Sequence, residues 1–345
     1  MNKASEGRGP HDPTGAEAAR SDVSPAQPPA DVAVAGLQVV LGASGGTGGA
    51  VVRELARRGS AVRAVSRSAR TADAADVQAV AADVTDTSAL REAVEGAAVI
   101  YHCVNVPYQK WVAEFQPLTR RIIDVAAAVG ARLVFTDNLY CYGPLDGPIG
   151  EDAPLAATTR KGQVRAAVRT DLLTAHRDGQ VRVVISGASD YYGPFGRNSF
   201  AGERFMKQLL AGKKVQWLAD LDQPHSANYL DDMARAIVIL ANSEAAEGQV
   251  WHLPAAEPLT GRQFIALAAR AAEVEPRSAV LSRTTMRFLG LFSPLLREIP
   301  ELWYEWDRPF VVDAAKFQRA YGPFAVTPHQ EALQRTVTWF HGSSS

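Results

Sequence analysis

The sequence is short of cysteine, of net charge and of long apolar runs, and each shortage closes off a class of protein. Only two cysteines, Cys103 and Cys141, occur in 345 residues. Two thiols this far apart in sequence make no disulfide framework. Both read as small packing residues, and a reducing cytoplasm is the expected compartment. Charges nearly cancel: 36 Lys and Arg against 37 Asp and Glu leave a formal net charge of -1. The clustered basic excess of a nucleic-acid-binding domain is therefore missing, and no nucleic-acid partner is expected. No apolar run reaches the roughly 18 residues of a membrane-spanning helix, and the N-terminus carries no apolar core of a secretory signal. Neither a membrane partner nor export is expected. Metal-ligand spacings and repeats at a solenoid period are also missing. What remains is an ordinary globular composition, 47% hydrophobic and 21% charged, long enough for more than one small domain.

Large apolar residues are scarce in residues 1–35, which are rich in Pro, Ala, Gly, Ser and Asp. Such a segment cannot bury enough surface to offset its ordering entropy. It is expected to be a disordered extension. Short apolar runs then follow at Leu37–Leu41, Ala61–Ser66, Val77–Ala81, Ala98–Cys103, Arg132–Thr136 and Val181–Ser186. Helical patterns lie between most of them, at Ala50–Arg58, Ser88–Glu95, Trp111–Val129 and Arg160–Arg177. This alternation predicts an α/β fold, a Rossmann-type doubly wound parallel sheet covered on both faces. We assign it to residues 36–187. After Gly187 the alternation loosens. Helices are expected at Phe200–Leu210, Asp231–Asn242 and Thr260–Ala272, with strands at Val215–Leu218 and Val250–Leu253. Residues 188–345 read mainly as a smaller substrate-binding lobe, partly interleaved with the sheet domain.

The motif with most chemistry is Gly42-Ala43-Ser44-Gly45-Gly46-Thr47-Gly48, placed between the first strand and the first helix. In that context Gly42 makes a tight turn, Gly45 lets the backbone approach a pyrophosphate, and Gly48 lets the helix pack close to the sheet. Ser44 lies inside the same turn and is counted among the cofactor contacts. The helix N-terminus offers free N–H groups and a positive dipole end to phosphates. About 20 residues on, an acidic residue would accept from the ribose 2′-hydroxyl of NAD. Here the chain reads Ser66-Arg67-Ser68-Ala69-Arg70. A guanidinium suits a 2′-phosphate, so Arg67 and Arg70 favour NADP(H), with NAD as the alternative. Asp83, after the third strand, is placed to accept from an adenine amino group. A helix N-cap is its other reading, although Asp86 or Thr87 suits that role better.

With these motifs in hand, the chain resembles the extended short-chain dehydrogenase/reductases, the NAD-dependent epimerase/dehydratase family. The resemblance runs from about Leu37 to Phe340. It rests on the glycine turn, on Val99-Ile100-Tyr101-His102-Cys103, on Leu139-Tyr140-Cys141-Tyr142-Gly143-Pro144, on Ser189-Asp190-Tyr191-Tyr192-Gly193-Pro194 and on Asn228-Tyr229-Leu230-Asp231-Asp232. It implies that Cys103 lies under the nicotinamide ribose and that Asp190 and Tyr191 face the substrate. It also implies a homodimer through paired helices.

The resemblance breaks at the chemistry. Redox members use a Ser or Thr that orients the substrate oxygen, a Tyr that exchanges the proton and a Lys that binds the ribose and lowers the phenol pKa. At the serine position stands Asn138, whose amide can still donate to a carbonyl. Residues 155–170 contain no tyrosine. One frame puts Lys161 at the tyrosine position and Arg165 at the lysine position. Another keeps Lys161 as the lysine and leaves Ala157 for the tyrosine. Of the remaining acids, Tyr140 and Tyr142 rank first as replacements, ahead of Tyr101, His102, Tyr108, Tyr191 and Tyr192. Lys161 is a ribose contact or itself an acid. Members acting on nucleotide sugars often carry a diphosphate-binding arginine before the "VDD" motif. The slot here holds His225, a polar substrate contact or else a loop histidine, and the missing arginine points to a smaller or more apolar substrate. The late aromatics Phe288, Phe292, Trp303, Tyr304, Trp306 and Phe310 either line an apolar pocket or form lobe core. The expected activity is that of an NADP(H)-dependent oxidoreductase or epimerase-like enzyme on a small carbonyl or alcohol. The alternatives are a non-redox isomerase, lyase or cyclase on the same fold, and a cofactor-sensing protein without turnover.

Overall fold

A computed structural model describes Met1 and residues 33–69 and 77–343. The N-terminal extension lies almost wholly outside the described residues, and so does Arg70. Among them, seven strands form one parallel sheet: β1 Leu37–Leu41, β2 Val62–Ser66, β3 Val77–Ala81, β4 Ala97–His102, β5 Arg132–Asp137, β6 Val183–Gly187 and, much later in the chain, β11 Gln249–His252. Their order is β11-β6-β5-β4-β1-β2-β3. From β1 the chain winds one way through β2 and β3 and the other way through β4, β5 and β6. A crevice therefore opens between the C-terminal ends of β1 and β4, where such folds bind ligands.

Side-chain alternation explains the layering. Val40, Val99, Tyr101, Val134 and Val184 point to one face and meet Ala50, Val51 and Leu55 of α1 (Gly46–Arg57) and Met233, Ile237 and Leu240 of α6 (Leu230–Ala241). Val39, Leu41, Ile100, Leu133 and Phe135 point to the other, against α2 (Thr87–Ala93), α3 (Gln116–Ala128) and α4 (Arg160–Arg177). Each large apolar side chain so buried is worth about 1.5–3 kcal/mol relative to exposure. Val34 is already part of this core, with its N–H donating to Ser60 Oγ at 2.9 Å. The packed chain thus begins slightly inside the stretch expected to be disordered.

The remaining elements are β7 Asp190–Tyr192, α5 Glu203–Leu210, β8 Val215–Leu218, β9 Pro224–His225, β10 Ala227–Tyr229, β12 Leu259–Thr260, α7 Gly261–Ala271, β13 Ser278–Leu281, α8 Arg283–Leu289, α9 Pro294–Glu298, α10 Ala315–Tyr321 and α11 His329–Gly342. Most form a second lobe around Phe205, Trp217, Phe264, Trp306 and Leu333. A smaller cluster joins the lobes: Trp111, Leu139, Tyr140, Tyr142, Leu302, Tyr304 and Phe310. Two expectations shift. The strand around Val250 is the outer strand of the main sheet, paired with β6. The helix expected from Trp111 opens as a π-helical turn, Trp111–Phe115, and continues as α3 from Gln116. Pro117 sits at the head of α3, where its missing N–H costs nothing.

Candidate active site

The glycine turn lies at the β1–β4 crevice. Gly42 has φ +82°, and a Cβ there would stand 2.7 Å from the Cys103 carbonyl oxygen. A Cβ on Gly48 would stand 2.3 Å from Gly42 O. The turn therefore closes tightly under α1 only because both positions are glycine. Gly45 is the N-cap of α1 and contributes no side-chain cap, so the first N–H groups of the helix keep no intrahelical partner. Ser44 and Gly45 are exposed. An open backbone cradle at a helix N-terminus fits the phosphates of a dinucleotide. Gly42, Ser44, Gly45 and Gly48 are thus brought together as expected, with Cys103 half-buried directly beneath. Burial pushes the Cys103 thiol up to about 12, which makes it a wall and not a nucleophile.

Arg67 is exposed at the end of β2, and its charge helps hold the Asp83 carboxyl below the usual range. The larger cause is Thr85, whose N–H and hydroxyl donate to Asp83 Oδ1 at 2.9 and 2.8 Å. Asp83 is not the N-cap of α2. Asp86 is, accepting from Ser88 N and Ala89 N.

The other candidates divide into two groups. Asn138 Oδ1 accepts from Tyr140 N at 3.3 Å, a bond that leaves the amide donors unused. The hydroxyls of Tyr140 and Tyr108 share a hydrogen bond of 2.9 Å. Burial is the main cause raising both phenols, so both carry their protons. Lys161, at the first turn of α4, lies with Nζ 5.7 Å from the centre of the Tyr108 ring. Gly162 makes that approach possible: a Cβ there would meet Tyr140 O at 2.6 Å. Asp190 Oδ2 bonds His225 Nε2 at 3.0 Å, and His225 Nδ1 lies 3.1 Å from Glu305 O. The His225 ring stacks on Trp306 at 4.3 Å and on Phe310 at 5.3 Å. Tyr191 is half-buried beside the glycine turn, with a ring carbon 3.2 Å from where a Cβ on Gly46 would lie.

Tyr142 is a correction. It is fully buried, its hydroxyl is 3.0 Å from His252 Nε2, and its ring lies against the Arg169 guanidinium. Its phenol faces the core and not the crevice, so Tyr142 drops out as an acid. Tyr101 and His102 are core as well. Tyr101 donates to Gln38 Oε1 at 3.0 Å, and burial pushes His102 down to about 3, so its ring is neutral. Lys161 is a second correction. It neither projects into solvent nor stands free to act as an acid. Its side chain is fully buried, with Nζ bonded to Glu298 and, at 3.0 Å, to Glu301. Arg165, one turn on, bonds Asp137 at 3.2 Å, and Arg169 bonds the other oxygen of the same carboxylate at 3.2 Å. In either frame, the positions where the resemblance puts tyrosine and lysine hold no tyrosine. In the frame with lysine at 161 and arginine at 165, both positions hold cations locked in ion pairs.

The aromatics also split. Trp303, Tyr304, Trp306 and Phe310 are buried, whereas Phe288 and Phe292 are exposed. Sequence reasoning missed Glu298, Glu301 and Glu305, because no local pattern announces that an acid far along the chain faces the start of α4. Glu305 is buried, and its Oε1 has no hydrogen-bond partner among the described residues. Among those residues no cluster of three or more His, Cys, Asp or Glu is placed to hold a metal, and no helix is long and apolar enough to cross a membrane.

A family model described as the NAD dependent epimerase/dehydratase family matches residues 38–253. The chain belongs to that family. A curated relative, "Uncharacterized protein y4nL" of Sinorhizobium fredii, is 21% identical over 278 residues, covering 73% of this chain and 76% of the relative. Among solved structures, a UDP-glucuronic acid 4-epimerase from Bacillus cereus in complex with NAD superposes with TM-score 0.74 at 16% identity, over 90% of this chain and all of that one. A dTDP-glucose 4,6-dehydratase from Streptomyces venezuelae with NAD bound gives TM-score 0.72 at 20% identity, over 88% of this chain and 96% of that one. At such identities the likeness is one of fold.

Proposed function

We propose that the chain is an NADP(H)-dependent oxidoreductase or epimerase-like enzyme that acts on a carbonyl or alcohol of a small substrate. The observation carrying this reading is the open glycine turn at the head of α1, in a member of a dinucleotide-dependent family. The backbone of 42–48 and the dipole of α1 would hold the phosphates. Arg67 favours a 2′-phosphate, although Asp83 beside it offsets part of that charge. A bound nicotinamide dinucleotide supplies a hydride donor or acceptor. The chain's own residues do the rest. Asn138 orients the substrate oxygen, and the hydrogen-bonded Tyr140–Tyr108 pair holds a proton beside it. The two solved structures named above are of a UDP-glucuronic acid 4-epimerase and a dTDP-glucose 4,6-dehydratase. In this chain the His225 ring is engaged by Asp190 and the Glu305 carbonyl and stacked on Trp306 and Phe310, so it is not free to meet a diphosphate. A smaller substrate with an apolar body suits such walls.

One observation favours a second reading, a non-redox isomerase, lyase or cyclase: Lys161 and Arg165 are tied into ion pairs and not free for a ribose and a phenol. A panel of ketones, aldehydes and alcohols separates the two, followed by absorbance of the reduced cofactor and by product analysis. Consumption of NADPH with product supports the redox reading. Product without net consumption leaves an epimerase-like or non-redox enzyme, and binding with no product across the panel contradicts both.

A further inference from the structure

Glu305 ends the helical segment Ile299–Glu305 and stands between Tyr304 and Trp306. It is 2% exposed, and its buried Oε1 finds no hydrogen-bond donor among the described residues. Such a group ordinarily pairs with a cation or takes a hydrogen bond. The buried cations of α4 are paired with other carboxylates, Lys161 with Glu298 and Glu301, and Arg165 and Arg169 with Asp137.

The position of Glu305 is fixed from two sides. Its own carbonyl meets His225, which is bonded to Asp190 at the start of β7. The preceding Tyr304 donates to the carbonyl of Tyr140 at 3.4 Å, in the loop after the fifth strand. The charged and titratable groups that sense it are Asp190, Tyr108, Tyr140 and Tyr304. Burial first, and the Asp190 charge second, push its carboxyl well above the usual range. Two carboxyl groups in one site, one tied to a histidine and one isolated among rings, form the arrangement that keeps an acid protonated at neutral pH.

We propose that Glu305 is the catalytic acid of this site, a neutral carboxyl that protonates the oxygen of a bound ketone or aldehyde in place of the tyrosine missing from the start of α4. This rests on the redox reading above. In the reducing direction the carboxyl O–H bond breaks and an O–H bond forms at the substrate oxygen, while the carbonyl carbon takes a hydride from a reduced nicotinamide dinucleotide. Glu305 is left as a carboxylate and recovers its proton from water. In the oxidising direction the carboxylate takes the alcohol proton. The Tyr140–Tyr108 pair and Asn138 then position the oxygen. A neutral acid in so buried a position favours an uncharged substrate.

The test compares the full-length wild type with Glu305→Gln, which keeps the volume and cannot ionise. Infrared difference spectra at neutral pH should show a protonated carboxyl band in the wild type that Glu305→Gln lacks. The sign of the pH effect follows from the raised pKa: the proton favours the folded state, so the contribution is lost as pH climbs above the ordinary value of 4.5. Wild-type Tm should therefore fall toward alkaline pH more steeply than that of Glu305→Gln. Dinucleotide affinity should stay within about twofold, while kcat falls about a hundredfold. An ionised carboxylate at neutral pH overturns the proposal, and so does a Glu305→Gln variant within about threefold of wild-type kcat. A wild type that turns over no carbonyl sinks the redox reading and the donor role together. The infrared and Tm readouts need no turnover, so they still decide separately whether Glu305 holds a proton.

Discussion

Tyr140 and Tyr142 are two residues apart and do different work. The 3-10 turn Tyr140–Tyr142 sends one ring toward Tyr108 and the crevice and the other back under Arg169 and His252. Burial holds the His252 ring neutral, pushed down to about 4, so the Tyr142–His252 bond joins uncharged partners. The same hydroxyl lies 3.3 Å from Glu151 O and is hydrogen-bonded by the Arg169 side chain, so Tyr142→Phe should cost about 1–3 kcal/mol and leave kcat unchanged. Tyr140→Phe removes the bond to Tyr108, so it should cost about 1 kcal/mol and lower kcat by about tenfold or more. Urea unfolding and steady-state kinetics on both variants check this. Equal kinetic effects would contradict the division. The sequence showed both tyrosines on the right loop, but nothing local distinguishes their directions, which depend on a turn and on partners from β11 and α4.

At the scale of elements, α4 connects the two lobes. Its first turn holds Lys161, clamped by Glu298 and Glu301 at the end of α9 and just beyond. Its next turns hold Arg165 and Arg169 on Asp137 at the end of β5. Thr159 caps its start by accepting from Gly162 N. Removing one partner of a buried pair leaves the other uncompensated, which costs about 3–5 kcal/mol. Lys161→Met leaves Glu298 and Glu301, 13% and 15% exposed, with the longer Arg160 contacts at 3.6 and 3.9 Å and the Lys161 N–H on Glu301, so the loss should fall below that range, at about 2 kcal/mol in urea unfolding. A loss below about 0.5 kcal/mol would show that the clamp is a solvated surface contact. The elements themselves were legible because local chemistry sets them. The short β-branched runs gave β1 to β6 within a residue or two, and α4 was read at its observed bounds. What escaped was non-local: the pairing of β11 with β6, the acids that face Lys161, and the unpaired carboxyl of Glu305. Each depends on residues far apart in the chain being folded against one another, 65 positions for β11 and β6 and 137 for Lys161 and Glu298.

For the whole molecule, function depends on where the sheet reverses. The glycine turn sits at that reversal, and the late segment 304–306 meets the loop after β5 through Tyr304 and Tyr140 and meets His225 through the Glu305 carbonyl and the Trp306 ring. Family membership and fold follow from the sheet order and the matched residues 38–253. The glycine turn was legible because Gly42 and Gly48 meet a steric demand that no other residue meets at 2.7 and 2.3 Å. The proposed NADP(H) preference rests on one exposed charge, Arg67. The most direct measurement is a calorimetric titration of the wild type and of Arg67→Ala with NADPH and with NADH. The account predicts one dinucleotide bound per chain, with NADPH the tighter in the wild type and about tenfold or more weaker after Arg67→Ala, while NADH changes little. Absence of binding heat with either dinucleotide at several temperatures would contradict it.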